Sequence, residues 1–170
     1  VKTKEDLDLV DGLIIPGGES TTLGKLLKWY GLDVEIKKRA GGMAKRPLAV
    51  WGTCAGAILM AKKVSNHTSD NIGLMDIEIK RNAYGRQTDS FETSLAVEKL
   101  GPKSIPALFI RAPQITKTAK DVDSMAYYQG APVMAKQKNL LVTMFHPELT
   151  DDTRTHEYFL SLIEKYAKKR

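Results

Sequence analysis

With a single cysteine, Cys54, among 170 residues, the chain can form no internal disulfide and no cysteine-based metal cluster. Aromatic residues make up only 7% and do not alternate with the basic ones, so the stacking platform of a single-strand nucleic-acid binder is missing. Apolar runs are short, and none approaches the roughly 20 residues needed to span a bilayer. No apolar stretch follows the basic start Val1-Lys2-Thr3-Lys4, so nothing there reads as a secretory signal and the cytoplasm is the expected compartment. Internal repeats, low-complexity tracts and linkers are also missing. What remains is 42% hydrophobic and 27% charged, the composition of a globular protein, in a length that suits one domain over residues 1–170.

The formal net charge is +6. Its densest groups are Lys37-Lys38-Arg39 with Lys45 and Arg46, and Lys165, Lys168, Lys169 and Arg170. Both read as solvated helix ends, where cations are favoured by the helix dipole. Neither nucleic acid nor membrane is an expected partner.

Leu9 to Ile15 is a short apolar run closed by Pro16-Gly17-Gly18, the pattern of a buried strand ending in a turn. Glu19 to Thr22 offers helix caps, and Leu23, Leu26, Leu27 and Tyr30 recur at helical spacing until Gly31. A second helix is predicted over Val34 to Ala40, a second strand over Pro47 to Gly52, and a helix over Cys54 to Lys63. This alternation predicts an α/β fold with a mostly parallel sheet flanked by helices. Closer spacings follow at Ile77–Lys80, Leu108–Ile110, Ser124–Tyr128, Val133–Ala135 and Leu140–Phe145, which predict antiparallel hairpin additions. Thr150-Asp151-Asp152 predicts the cap of a closing helix whose inner stripe is Tyr158, Phe159, Leu162, Ile163 and Tyr166. The first strand follows only a few polar residues, an early place for it in a doubly wound sheet, which predicts a missing βα unit ahead of Val1.

Chemistry concentrates at three places. Gly52-Thr53-Cys54-Ala55-Gly56 lies between a buried strand and a helix, and its flanking small residues allow the sharp turn of a nucleophile elbow. A helix N-terminus there favours a thiolate, and the Ala55 N–H points where an oxyanion would develop. Inert packing of a lone cysteine would need neither glycine. Of the three histidines, His67 lies in a polar loop-like stretch and His156 on the closing helix, as a surface or inter-element hydrogen-bonding residue. His146 ends a buried strand and is followed by Pro147-Glu148. Residues two apart in an extended segment share a side, so Glu148 can fix the tautomer of His146 as the third member of a triad. The Gly17-Gly18 turn can present backbone N–H groups to a negative centre as the second half of an oxyanion hole.

These pieces, in this order, resemble the class I (triad) glutamine amidotransferases. Pro16-Gly17-Gly18-Glu19-Ser20-Thr21-Thr22, Gly52-Thr53-Cys54-Ala55-Gly56, Arg81-Asn82-Ala83-Tyr84-Gly85-Arg86-Gln87 with Asp89-Ser90-Phe91-Glu92, Phe109-Ile110-Arg111-Ala112-Pro113 and Phe145-His146-Pro147-Glu148-Leu149-Thr150 are similar to the glutaminase subunits of pyridoxal 5′-phosphate synthase. The resemblance runs from about Asp11 to the closing helix. It implies a three-layer, flavodoxin-like fold and hydrolysis of L-glutamine through a thioester. It further implies Cys54 as nucleophile, His146 as base and acid, and Glu148 as orienting carboxylate. Gly18, Glu19, Ser20, Arg81, Ile110 and Arg111 would hold glutamine, and Gly18 and Ala55 the oxyanion. Arginine suits the substrate α-carboxylate and Glu19 its ammonium. No metal and no bound cofactor is implied. The implied partner is the synthase subunit, in a hetero-oligomer whose overall reaction is a lyase reaction, and this partner would organise the oxyanion hole. Family members begin with a strand, a Leu-Gln-Gly turn and a helix that would precede Val1. Two alternatives stand beside this reading: another Cys–His α/β hydrolase, such as a peptidase or deglycase, and a truncated, inactive form that serves as a binding or regulatory subunit.

Overall fold

The computed structural model describes residues 1–41, 44, 46–65, 70–81, 83 and 90–167. Its elements, in chain order, are α1 (Lys4–Asp8), β1 (Gly12–Ile15), α2 (Ser20–Trp29), α3 (Leu32–Ala40), β2 (Ala49–Thr53), α4 (Ala55–Met60), β3 (Ala61–Val64), β4 (Met75–Lys80), β5 (Ser90–Leu95), β6 (Ile105–Ile110), β7 (Gln114–Thr118), β8 (Asp123–Tyr128), β9 (Ala131–Gln137), β10 (Leu140–Thr143) and α5 (Arg154–Ala167). The main sheet runs β1-β2-β10-β9-β8. β1, β2 and β10 are parallel; β9 and β8 extend them antiparallel. Two smaller sheets, β3-β4-β7 and β5-β6, complete the described fold.

Every residue of β2 and β10 is buried, as expected of strands covered on both faces. Side-chain alternation along β2 decides what covers each face. Trp51 faces α5, with its ring 5.6 Å from that of Phe159. Gly52 faces α4 so closely that a β-carbon on it would stand 2.6 Å from the Gly56 carbonyl carbon. Gly56 in turn lies against β1, where a β-carbon would stand 1.9 Å from the Ile15 carbonyl oxygen. The two glycines of the cysteine motif therefore let strand, helix and neighbouring strand meet backbone to backbone.

Several expectations are revised. The helix predicted over Cys54 to Lys63 ends at Met60, and Ala61–Val64 is a strand. The reason is tertiary: Lys62 and Lys63 reach Asp76 and Glu78 on β4, and the Leu59 and Met60 carbonyls accept from Ile72 and Leu74. Those partners outweigh the helix propensity of the segment. On α2 the inward stripe is Ser20, Leu23, Gly24 and Leu27, whereas Leu26 and Tyr30 lie off it and are exposed. Arg39 is buried rather than solvated, because its guanidinium donates to the carbonyls of Leu7, Val10 and Arg46. Arg46 pairs with Asp11 at 2.7 Å and also donates to the Asp8 and Leu9 carbonyls. The two arginines thus bind the α1 segment to the body.

The closing helix starts at Arg154, later than its predicted cap, with the Asp152 carboxylate accepting the Arg154 N–H at 3.1 Å. Phe159 and Leu162 are buried, and Tyr158 and Ile163 pack partly against the core, as predicted. The polar start contains α1, closed by a reciprocal Thr3–Asp6 capping box. Among the described residues no helix is long and apolar enough to cross a membrane.

Candidate active site

Cys54 stands between β2 and α4 with φ 49° and ψ −102°, a conformation costly for a residue with a β-carbon. Its N–H donates to the Thr143 carbonyl at 2.8 Å, and its carbonyl accepts the first helical bond, from Ile58, at 3.2 Å. The turn is thereby held from both sides and the side chain is lifted toward the end of the sheet. Sγ lies 3.8 Å from the Ile110 carbonyl oxygen.

His146 arrives beyond β10, at the start of a 3₁₀ turn over Pro147–Leu149. Its backbone N–H is fixed at 2.9 Å on the Leu108 carbonyl of β6. Glu148 Oε1 is 2.8 Å from Nδ1, so Nε2 is left for the side that faces Cys54. A hydrogen bond with Cys54 and the one with Glu148 raise His146 to about 9, against burial, which lowers it. Glu148 responds in the opposite sense. Burial pushes its carboxyl up, but the bond to His146 and the neighbouring imidazoles of His146 and His156 bring it below the usual range. Two groups displaced in opposite directions by each other form a charge-assisted pair.

Cys54 and His146 line a cavity of about 410 Å³, within the usual range for small-ligand sites. The Gly18-Glu19-Ser20 turn forms one wall with Ala55, and Arg81, Ile110 and Arg111 form another. Sequence reasoning marked all of these for this place. It missed Ile58, which also lines the cavity from α4; a residue four positions after the nucleophile, on the same helical face, is the signal that identifies it. Glu148 does not line the cavity but stands behind His146.

Glu19 caps α2, its carboxylate accepting the N–H groups of Thr21 and Thr22 at 3.0 and 2.7 Å and the Thr22 hydroxyl at 2.8 Å. Those bonds hold it ionised, at about 2. Arg81 lies 3.6 Å from it. Arg111, at the end of β6, has φ 46° and projects from a left-handed backbone position. Of the Arg81–Gln87 block, Arg81 and Ala83 are described, while Asn82, Tyr84, Gly85, Arg86 and Gln87, with Asp89, lie outside the described residues. So do His67, Lys45, Lys168, Lys169 and Arg170. His156 is half-buried, edge-on to Trp51 with ring centroids 5.0 Å apart.

The SNO glutamine amidotransferase profile matches residues 1–165. The chain belongs to the SNO glutamine amidotransferase family. A Fervidobacterium nodosum relative, pyridoxal 5′-phosphate synthase subunit PdxT, is 48% identical over 168 residues, covering 99% of this chain and 85% of that one. The subunit of the same name from Thermotoga neapolitana is 45% identical over 164 residues, with coverages of 96% and 85%. A crystal structure of a glutamine amidotransferase superposes with a TM-score of 0.90 at 44% identity, over 96% of this chain and 85% of that one. This agrees with the mixed α/β architecture and with the flanked, mostly parallel core on which this family member builds its cavity.

Proposed function

We propose that the chain is the glutaminase subunit of a pyridoxal 5′-phosphate synthase, acting in the cytoplasm and supplying ammonia to a synthase subunit for vitamin B6 biosynthesis. Family membership and the names of the relatives support this reading. The observation that carries it is the Cys54–His146–Glu148 series, in which a cysteine on a strained elbow meets an imidazole raised to about 9 by that cysteine and a carboxylate at 2.8 Å.

In this reading Cys54 Sγ, as thiolate, attacks the side-chain amide carbon of L-glutamine, and the carbonyl oxygen takes the negative charge. The N–H groups of Ala55 and Gly18 receive that oxyanion. His146 gives its Nε2 proton to the amide nitrogen, the C–N bond breaks and ammonia leaves, which forms a glutamyl thioester. Water then loses a proton to His146 and attacks the thioester carbon; the C–S bond breaks, glutamate is released and the thiolate returns. Glu148 holds the ring in one tautomer and stabilises its cationic form throughout. Arg81 and Arg111 suit the substrate α-carboxylate. The Glu19 carboxylate, committed to capping α2, contributes negative charge on the side where the substrate ammonium would sit. No metal or bound cofactor takes part in any step. The synthase subunit, docking beside the Gly17-Gly18 turn, would set the direction of the Gly18 N–H.

Ammonia release from L-glutamine, measured alone and with a synthase subunit, tests the proposal. Cys54-dependent release that increases with the synthase supports it. Hydrolysis of peptide or glycated substrates without release from glutamine would replace it with the other Cys–His hydrolase reading.

A further inference from the structure

The main cavity makes two different demands on a ligand. Its charged side chains, Glu19, Arg81 and Arg111, call for a charged head, while the sulfur of Cys54 calls for an electrophilic carbon. A molecule that meets both must carry a spacer between them. Among the described residues that line the cavity, two have large apolar side chains, Ile58 and Ile110. A spacer of methylene groups is best placed against these, because there it leaves water without stranding a polar group.

The two isoleucines differ in how firmly they are tied to the nucleophile. Ile110 ends β6, on a ribbon apart from the main sheet, and meets Cys54 through its carbonyl oxygen, 3.8 Å from Sγ. Ile58 stands on the helix that Cys54 itself opens, and its N–H donates to the Cys54 carbonyl at 3.2 Å. Its side chain belongs to the core and is 6% exposed, yet it still forms part of the cavity wall. In a helix the β-branch of isoleucine leaves one strongly preferred χ1 rotamer. Backbone, rotamer and burial therefore fix this wall relative to Sγ, and it cannot withdraw to suit a broader ligand.

We infer that Ile58 is a specificity-determining residue: its side chain packs against the methylenes next to the amide carbon and so demands an unbranched spacer between the charged head and the carbon that Sγ attacks. A branch on the carbon beside the amide is rejected by contact with Ile58. The inference rests on the glutaminase reading above.

The test compares L-glutamine with the two C4 epimers of 4-methyl-L-glutamine, whose extra methyl sits beside the amide carbon. Ammonia release is measured with the synthase present, and the ratio of kcat/KM values for the two amides is read on each protein. That ratio does not depend on how much of a variant is folded. The wild type should prefer glutamine by about tenfold to two hundredfold, the range that one methyl-sized group commands in an apolar site. Ile58→Ala should erase most of that preference for one epimer. Ile58→Val, a milder change to the core, should erase part of it. Leu59→Val alters a fully buried neighbour on α4 that does not line the cavity, and should leave the ratio at its wild-type value. Equal use of both amides by the wild type, an unchanged ratio in both Ile58 variants, or the same shift in Leu59→Val would each overturn the inference. If the wild type releases no ammonia from glutamine, the glutaminase reading fails by itself. The wall is then read from alkylation by iodoacetamide and by the bulkier N-phenyl iodoacetamide, which report Cys54 alone because the chain has no other cysteine. A relative gain for the bulkier reagent in Ile58→Ala supports Ile58 as the limiting wall, and an unchanged ratio of rates overturns it.

Discussion

Gly17 lies flat against the His146 ring: a β-carbon there would stand 2.5 Å from Cε1 and 3.3 Å from Nδ1. The turn after β1 and the imidazole after β10 thus share one contact surface. Gly17→Ala should displace the ring from Cys54 and cost about 10²-fold in kcat, the usual penalty of a misplacement of roughly 1 Å. The fold should persist, since the displaced group is a side chain at the cavity edge. A kcat equal to wild type in ammonia-release assays would show that the ring tolerates the intrusion.

Cys54→Ser should lower glutamine hydrolysis by roughly 10³-fold or more, because a hydroxyl in this setting supplies no comparable nucleophile. The melting temperature should change little, as the two side chains differ in one atom. Substantial residual release of ammonia would remove Cys54 from the mechanism.

In the proposed mechanism His146 carries a proton to the leaving ammonia, and it is raised to about 9 by Cys54 and Glu148. Activity should therefore hold through neutral pH and fall as the pH passes about 9. Glu148→Gln removes one of the raising influences, so the alkaline limb should move to lower pH while kcat drops by less than in His146→Ala. Stability follows the same group. Because the folded value lies above the ordinary imidazole value of 6.5, the contribution of His146 is complete below that pH and is lost as the pH rises through about 9. The difference in melting temperature between wild type and His146→Ala should shrink over that interval, and a difference that grows would contradict the pairing.

Gly56→Ala should act on the fold rather than on the chemistry. Its β-carbon would meet the Ile15 carbonyl oxygen, a backbone atom of a paired strand that cannot step aside. The cost should be about 1–3 kcal/mol or more, read as a lower urea midpoint. An unchanged midpoint would show that β1 and α4 are less firmly apposed.

The elbow and the grouping of Cys54, His146 and Glu148 were legible in the sequence because each residue type there is required by close geometry. Gly52 and Gly56 admit no β-carbon, and Glu148 follows His146 at a spacing that reaches one ring nitrogen. Elements fixed by distant partners were not legible. Lys62 and Lys63 read as the basic end of a helix until β4 places Asp76 and Glu78 beside them. Arg39 reads as a surface cation until the carbonyls of Leu7 and Val10, some thirty residues earlier, enclose it. Strands β5 and β7 carry little apolar signal, since Ser90–Leu95 and Gln114–Thr118 are largely polar and take their form from pairing with β6 and β4. In α1, Thr3 and Asp6 stand at capping-box spacing, a local signal that the polar composition masks.

The β5–β6 ribbon has its own place apart from the main sheet, fastened by the stack of Phe91 on Phe109 at 4.7 Å and on Tyr128 at 5.0 Å. One end of it brings Ile110 and Arg111 to the cavity, and two residues earlier the Leu108 carbonyl holds the backbone of His146. The shape of the cavity wall and the placement of the His146 ring are consequently one mechanical variable. A mutation that reshapes this ribbon to admit a different molecule also moves the imidazole, and the turn after β1 offers no independent route, because Gly17 lies against the same ring.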